Sequence, residues 1–148
     1  MDAGSVATQT FGISAGDIAA IDRWIETVAG RWGLPERTVF GARLCVAELA
    51  ANALEHGGSP RGSDRITLTI RRAGDGIAIE FVDARAAFDP TRVAPAASPH
   101  AGVMKPPGGL GLKLVRAYAD ELSYRDDGVH NRVTLTIRSA AAPARRTA

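Results

Sequence analysis

This chain of 148 residues has one cysteine, 5% aromatic residues and no long apolar run. A single thiol, Cys45, cannot close an internal disulfide, so packing has to hold the fold, and a reducing compartment such as the cytoplasm fits. A membrane helix needs roughly 20 apolar residues in a row, and no stretch approaches that. Met1–Gln9 lacks the basic flank and the apolar segment of a secretory signal. A basic face is also missing. Lys+Arg is 18 against 16 for Asp+Glu, a net of +2, but Arg138, Arg145 and Arg146 lie in the last stretch, which has no acid. Without them 15 basic residues face 16 acidic ones. The sequence pI of 9.1 is therefore largely an effect of this tail, and direct nucleic-acid binding, which wants a basic stripe, is disfavoured.

What is present suits one soluble domain: 45% apolar and 23% charged residues. Gln9–Ile13 reads as a short edge strand. Ser14 is a candidate N-cap with Asp17 three residues on. Ile18, Ile21, Ile25, Val28 and Trp32 then recur at helical spacing. Gly33 stops that helix, and Pro35 suits the first turn of a second, which runs to about His56 before Gly57-Gly58. A turn over 59–63 follows. Arg65–Arg72 and Ile77–Val82 alternate as strands around Gly74-Asp75-Gly76, a hairpin pattern. Residues 84–107 hold five of the eight prolines and read as a functional lid or a disordered segment. Gly108–Gly111 opens a helix reaching about Asp120, and Leu122–Arg125 with Asn131–Ile137 forms a last hairpin. This order predicts an α+β fold, a two-layer α/β sandwich whose mixed, mainly antiparallel sheet is covered on one face by helices. The domain is expected over 1–137 with a lid at about 84–107, and 138–148 as a basic, disordered tail. Trp24, Trp32 and Phe40 are expected to pack in the core, and Cys45 to be a small core residue.

The second helix carries chemistry as well as a core stripe. Val46, Leu49, Ala50 and Ala53 form the stripe. Glu48, Asn52 and His56 are four apart and share another face. Read alone, such a face is most often just solvated, and a histidine in the last turn simply suits the helix C-terminus. It can also work: an amide oxygen suits a hard cation such as Mg²⁺, and a carboxylate can accept a proton from a nucleophile. Asp83 ends an apolar strand, where a carboxylate usually shapes a turn but can also accept from an exocyclic amine. Gly108–Gly111 lets backbone N–H groups approach an anion at a helix start, with Lys105 and Lys113 near in sequence. The spacing is not that of a Walker loop.

Taken together, Glu48-x-x-x-Asn52-Ala53-x-x-His56, Asp83 with Phe88-Asp89-Pro90, and Gly108-Gly109-Leu110-Gly111-Leu112 resemble the histidine-kinase-type ATPase superfamily (the Bergerat fold). Within it the chain is most similar to the bacterial anti-sigma factor serine kinases, over about Phe11–Ile137. The resemblance implies that ATP binds between the second helix, the lid and the glycine-rich helix start. Asn52 then matches the residue coordinating Mg²⁺, and Glu48 the catalytic base. Asp83 matches the adenine-reading carboxylate, and Gly109 and Gly111 the glycines around the phosphates. His56, Arg85, Phe88, Lys105, Gly108, Leu110 and Leu112 complete the expected nucleotide site. Implied partners are a sigma factor and a small antagonist protein that is phosphorylated on serine. A cytoplasmic location follows, and the family often forms dimers. One departure matters. The family motif Asp-x-Gly-x-Gly-Phe-Asp-Pro reads here Asp83-Ala84-Arg85-Ala86-Ala87-Phe88-Asp89-Pro90, without either glycine. Arg85 could swing to solvent, stack on the base or block the pocket. The expectation is weakened or altered nucleotide binding with the protein–protein role kept. The alternatives are an interaction-only module and a stand-alone ATPase of the same fold.

Overall fold

The computed structural model describes residues 5–56, 64–92 and 107–138, with backbone alone at 56, 92 and 107–112. The elements run β1 (Val6–Phe11), α1 (Ala15–Arg31), α2 (Glu36–His56), β2 (Ile66–Ala73), β3 (Gly76–Asp83), a 3-10 turn (Pro90–Arg92), α3 (Pro107–Tyr118), β4 (Glu121–Asp126) and β5 (Asn131–Ile137). Five strands form one sheet in the order β1-β2-β3-β5-β4. Every described pairing is antiparallel, so the expected mixed sheet is corrected to an antiparallel one. The first strand also begins and ends earlier than its apolar pattern suggested. Its partner β2 decides this, because Phe11 pairs with Ile66 at the strand's end and Val6 with Arg71.

Local chemistry explains where the elements stop. The Ser14 hydroxyl accepts from the Asp17 N–H at 3.2 Å, which satisfies a donor that the first turn of α1 would leave orphaned. Beyond α1, Gly33 takes φ 69°, a left-handed turn that only glycine adopts cheaply. Gly74, at φ 65°, turns the β2–β3 hairpin in the same way. Between the ends, alternation sets the sheet's two faces. Ile66, Leu68, Ile70, Ile77, Ile79, Phe81, Val133, Leu135 and Ile137 point inward and are buried. Thr67, Thr69, Glu80 and Thr134 point outward. The inward side chains join Ile21, Ile25 and Val28 of α1 and Ala42, Cys45, Val46, Leu49, Ala50 and Ala53 of α2 in one cluster. Burying each large aliphatic group there contributes roughly 1.5–3 kcal/mol. An Arg43–Asp22 ion pair of 2.8 Å ties α2 to α1, and Phe11 meets Trp24 edge-on at 5.6 Å.

The expected stripe of α2 and the buried Cys45 match the structure, but Phe40 does not. It is 53% exposed and rests edge-on against Tyr118 of α3 at 5.8 Å. Helical spacing places it on the α3 side of α2, where the last turn of α3 leaves it half uncovered. The turn at 59–63, most of the predicted lid (93–106) and the tail from 139 on lie outside the described residues. Among the described residues no helix is long and apolar enough to cross a membrane.

Candidate functional site

Antiparallel register brings the polar candidates to one end of the sheet. Asp83, the last residue of β3, pairs with Ile66 of β2 on one side and with Asn131, the first residue of β5, on the other. The strand alternation that buries Phe81 also turns Asp83 inward, beneath the C-terminal half of α2. Asp83 is 7% exposed and Asn52 only 4%. Both line a cavity of about 20 Å³ shared with Leu49, Ala53, Phe81, Phe88, Pro90, Asn131 and Val133. That space holds about one water molecule.

Asp83 and Asn52 differ in how they are satisfied. Asp83 Oδ1 accepts the Arg85 backbone N–H at 2.8 Å and Asn131 Nδ2 at 3.0 Å. Asn52 Nδ2 is buried with no hydrogen-bond partner. A buried donor left unpaired costs roughly 1–3 kcal/mol, which marks Asn52 as a candidate ligand-binding group. Its amide can present the oxygen instead by a flip, since nitrogen and oxygen are assigned from their partners.

The other predicted residues sit as follows. Glu48 lies one turn before Asn52 on α2, half-buried and outside the cavity lining. Burial, and secondarily the nearby Glu48 charge, push the Cys45 thiol up to about 12. His56 is the last residue of α2, and its side chain lies outside the described residues, as does the whole of Lys105. Gly108, Gly109, Leu110, Gly111 and Leu112 form the opening turns of α3, which packs against α2. Phe88 lines the cavity. Arg85 does not. Its guanidinium turns to Asp64, just before β2, with Nε–Oδ1 at 3.1 Å and Nη2–Oδ1 at 3.0 Å, and its side chain is 13% exposed. Of the expected fates for this arginine, the structure shows neither exposure to solvent nor a place in the cavity lining. Nor do Arg85 and Ala87 strain the chain, because no described residue other than glycine has a positive φ.

Below the cavity, Asp89 Oδ1 accepts from the Thr91 N–H and hydroxyl at 2.8 and 2.6 Å and so caps the 3-10 turn. Arg116 of α3 donates to the Thr91 carbonyl. The root of the predicted lid is thereby tied to α3. Asn131 also lines this cavity, and sequence reasoning gives it no role beyond opening the terminal strand. The available signal was its place in NRVTLTI: Asn131, Val133, Leu135 and Ile137 alternate onto the core face, so a polar group opens an otherwise apolar row.

A family model described as the histidine kinase-like ATPase domain matches residues 13–137. The chain belongs to that family. As a histidine kinase-like ATPase domain it is 32% identical over 138 residues to the serine/threonine-protein kinase BtrW of Bordetella bronchiseptica, covering 92% of this chain and 97% of that one. Its fold matches the crystal structure of the RsbU and RsbW domains of a Mycobacterium tuberculosis protein with a TM-score of 0.64 at 16% identity. That match covers 90% of this chain but spans only 32% of the other, and it speaks for the fold alone. The resemblance seen in the motifs thus holds at the level of family and fold.

Among the described residues no group of three or more His, Cys, Asp or Glu side chains could hold a metal. A Mg²⁺ ion would not need such a cluster. That ion keeps several waters and takes one or two protein oxygens plus phosphates, and the unsatisfied amide of Asn52 fits such a role.

Proposed function

We propose that this chain binds ATP with Mg²⁺ and acts as an anti-sigma regulatory kinase, holding a sigma factor and phosphorylating a serine of a small antagonist protein. The observation that carries this reading is the unpaired, buried amide of Asn52 facing the same cavity as the Asp83 carboxylate. An adenine amine donates to Asp83, and the phosphates lie toward Asn52 and the start of α3. Similarity to the kinase BtrW over nearly all of both chains supports the choice of reaction.

Phosphoryl transfer asks mainly for positioning and charge neutralisation. Mg²⁺, held by the Asn52 oxygen, supplies charge neutralisation on the phosphates when bound. Glu48 takes the proton of the attacking serine hydroxyl. A bond forms between that oxygen and the γ-phosphorus, the bond from the γ-phosphorus to the β,γ-bridging oxygen breaks, and ADP leaves. The glycines of α3 leave backbone N–H groups open to phosphate at a helix N-terminus. Such work belongs to the cytoplasm, where ATP, sigma factor and antagonist meet.

The departure at Arg85 pointed to weakened binding, but the side chain pairs with Asp64 and is not among the residues lining the cavity, which supports a site still open to nucleotide. Nucleotide binding is therefore part of the proposal. Isothermal titration with Mg·ATP tests it, with Asp83→Ala as control. The unaltered protein should bind at micromolar concentrations and Asp83→Ala at least roughly tenfold more weakly. Transfer of the γ-phosphate to a co-isolated small protein, lost in Glu48→Gln, tests the kinase step. Capture of a sigma factor without either nucleotide binding or transfer would favour the interaction-only alternative.

A further inference from the structure

We propose that Asn131 is a positioning residue for this site: by clamping Asp83 to the root of the lid it sets the discrimination between adenine and guanine. The inference rests on the ATP reading. Asn131 is 3% exposed, and both ends of its amide are fully used. Nδ2 donates to Asp83 Oδ1 at 3.0 Å, to the Arg85 carbonyl at 3.0 Å and to the Ala86 carbonyl at 3.1 Å. Oδ1 accepts the Phe88 N–H at 3.2 Å and the Tyr124 hydroxyl at 2.6 Å. One short side chain therefore joins β3, β4, β5 and three residues of the loop after β3. Only an amide offers two donor hydrogens and an acceptor at that length; a carboxylate has no donor and a hydroxyl has one.

The consequence falls on Asp83. Its Oδ1 is held by Asn131 and by the Arg85 N–H, and no other hydrogen bond reaches the carboxylate among the described residues. One oxygen is thus anchored and the other is left for a base. Rotation about the bond to a carboxyl group is soft, so without the anchor the free oxygen would not keep a fixed direction. Fixed, it accepts from the exocyclic amine of adenine and repels the carbonyl that guanine carries at the same position. The clamp also gives the loop a substitute for the two missing glycines. The carbonyls of Arg85 and Ala86 are turned onto one amide, and the backbone stays in ordinary conformations.

The test is isothermal titration with Mg·ATP and Mg·GTP on the unaltered protein, Asn131→Ala, Asn131→Asp and Tyr124→Phe, together with amide hydrogen exchange at Phe88 in the absence of nucleotide. Asn131→Ala should lose roughly tenfold or more in ATP affinity and less for GTP, narrowing the preference, and Phe88 exchange should speed up by roughly tenfold. Asn131→Asp, the same shape without donors, should fail to restore the preference. Tyr124→Phe keeps the ring and removes one bond to the amide; it should move both readouts in the same direction, by roughly threefold. It decides the matter if the Asn131 variants do not fold. Folded variants with an unchanged ATP-to-GTP ratio, or with unchanged exchange at Phe88, overturn the inference while leaving ATP binding intact. An unaltered protein that binds neither nucleotide overturns both readings.

Discussion

Arg85 shows how one side chain can look obstructive in a sequence and be harmless in space. It stands where the motif this chain resembles has glycine, yet its guanidinium lies on Asp64 and its backbone N–H supports Asp83. Arg85→Gly should therefore leave Mg·ATP affinity within about threefold, since the side chain does not line the cavity, while the backbone N–H is retained. Stability should fall by roughly 1–2 kcal/mol, from the lost ion pair and the freer unfolded chain. For a domain of this size that is a drop of roughly 3–6 °C in Tm, read by scanning calorimetry. A large loss of affinity would mean that the arginine contacts nucleotide after all. Cys45 offers a second single-residue check. Burial pushes its thiol up to about 12, so almost no thiolate exists near neutrality. Iodoacetamide at pH 8 should leave the folded protein unmodified by mass and alkylate it fully in denaturant.

At the level of elements, the turn joining β4 to β5 has a measurable pH signature. Asp127 accepts the His130 N–H at 2.7 Å and the Val129 N–H at 2.9 Å, and these two bonds lead the causes that hold its carboxyl at about 2. The folded value lies below the unfolded one of about 3.9. Its stabilising contribution is therefore complete above about pH 4 and fades as pH falls toward 2. Asp127→Ala should melt below the unaltered protein at pH 6, and the two curves should converge near pH 2. A gap that persists at pH 2 would show that the loss is not electrostatic. Elements of this kind were legible beforehand, because their causes are local: Gly74 and Gly128 mark the turns, Ser14 caps α1, and period-2 alternation marks β2, β3 and β5. Errors arose where a distant partner decides. The bounds of β1 follow from β2, and the exposure of Phe40 follows from where α3 ends. The candidate site divides in the same way. Glu48, Asn52 and Asp83 announced themselves by spacing and order. The Asn131 clamp joins residues 48 apart, and the Arg85–Asp64 pair joins residues 21 apart. The contacts themselves leave no local pattern, although Asn131 stands out as the polar start of an apolar row.

Across the whole molecule, the design is a rigid antiparallel sheet with its apolar face covered by helices and its polar pair placed at one end of that interface. Asn52 comes from α2, Asp83 from β3 and the glycine-rich turns from α3, so a nucleotide bound as proposed would touch three elements. A ligand that binds the folded chain and not the unfolded one adds RT ln(1 + [L]/Kd), about 2.7 kcal/mol at a hundred times Kd. That corresponds to a rise of roughly 5–10 °C in Tm here. The share carried by Mg²⁺ can be separated, because Asn52 is the only protein side chain proposed to hold it. Mg·ATP should raise Tm by the full amount. ATP with excess EDTA should give a smaller rise, since Asp83 still reads the base but the phosphate charge near Asn52 is no longer neutralised. In Asn52→Asp, the advantage of Mg·ATP over ATP with EDTA should widen, because a fixed negative charge at 4% exposure opposes the phosphates whenever the metal is not seated. The same variant without nucleotide should melt lower than the unaltered protein, because the carboxylate is buried without a partner. Equal shifts with and without Mg²⁺ in the unaltered protein would remove Asn52 from the metal role and leave Asp83 as the main anchor of the nucleotide.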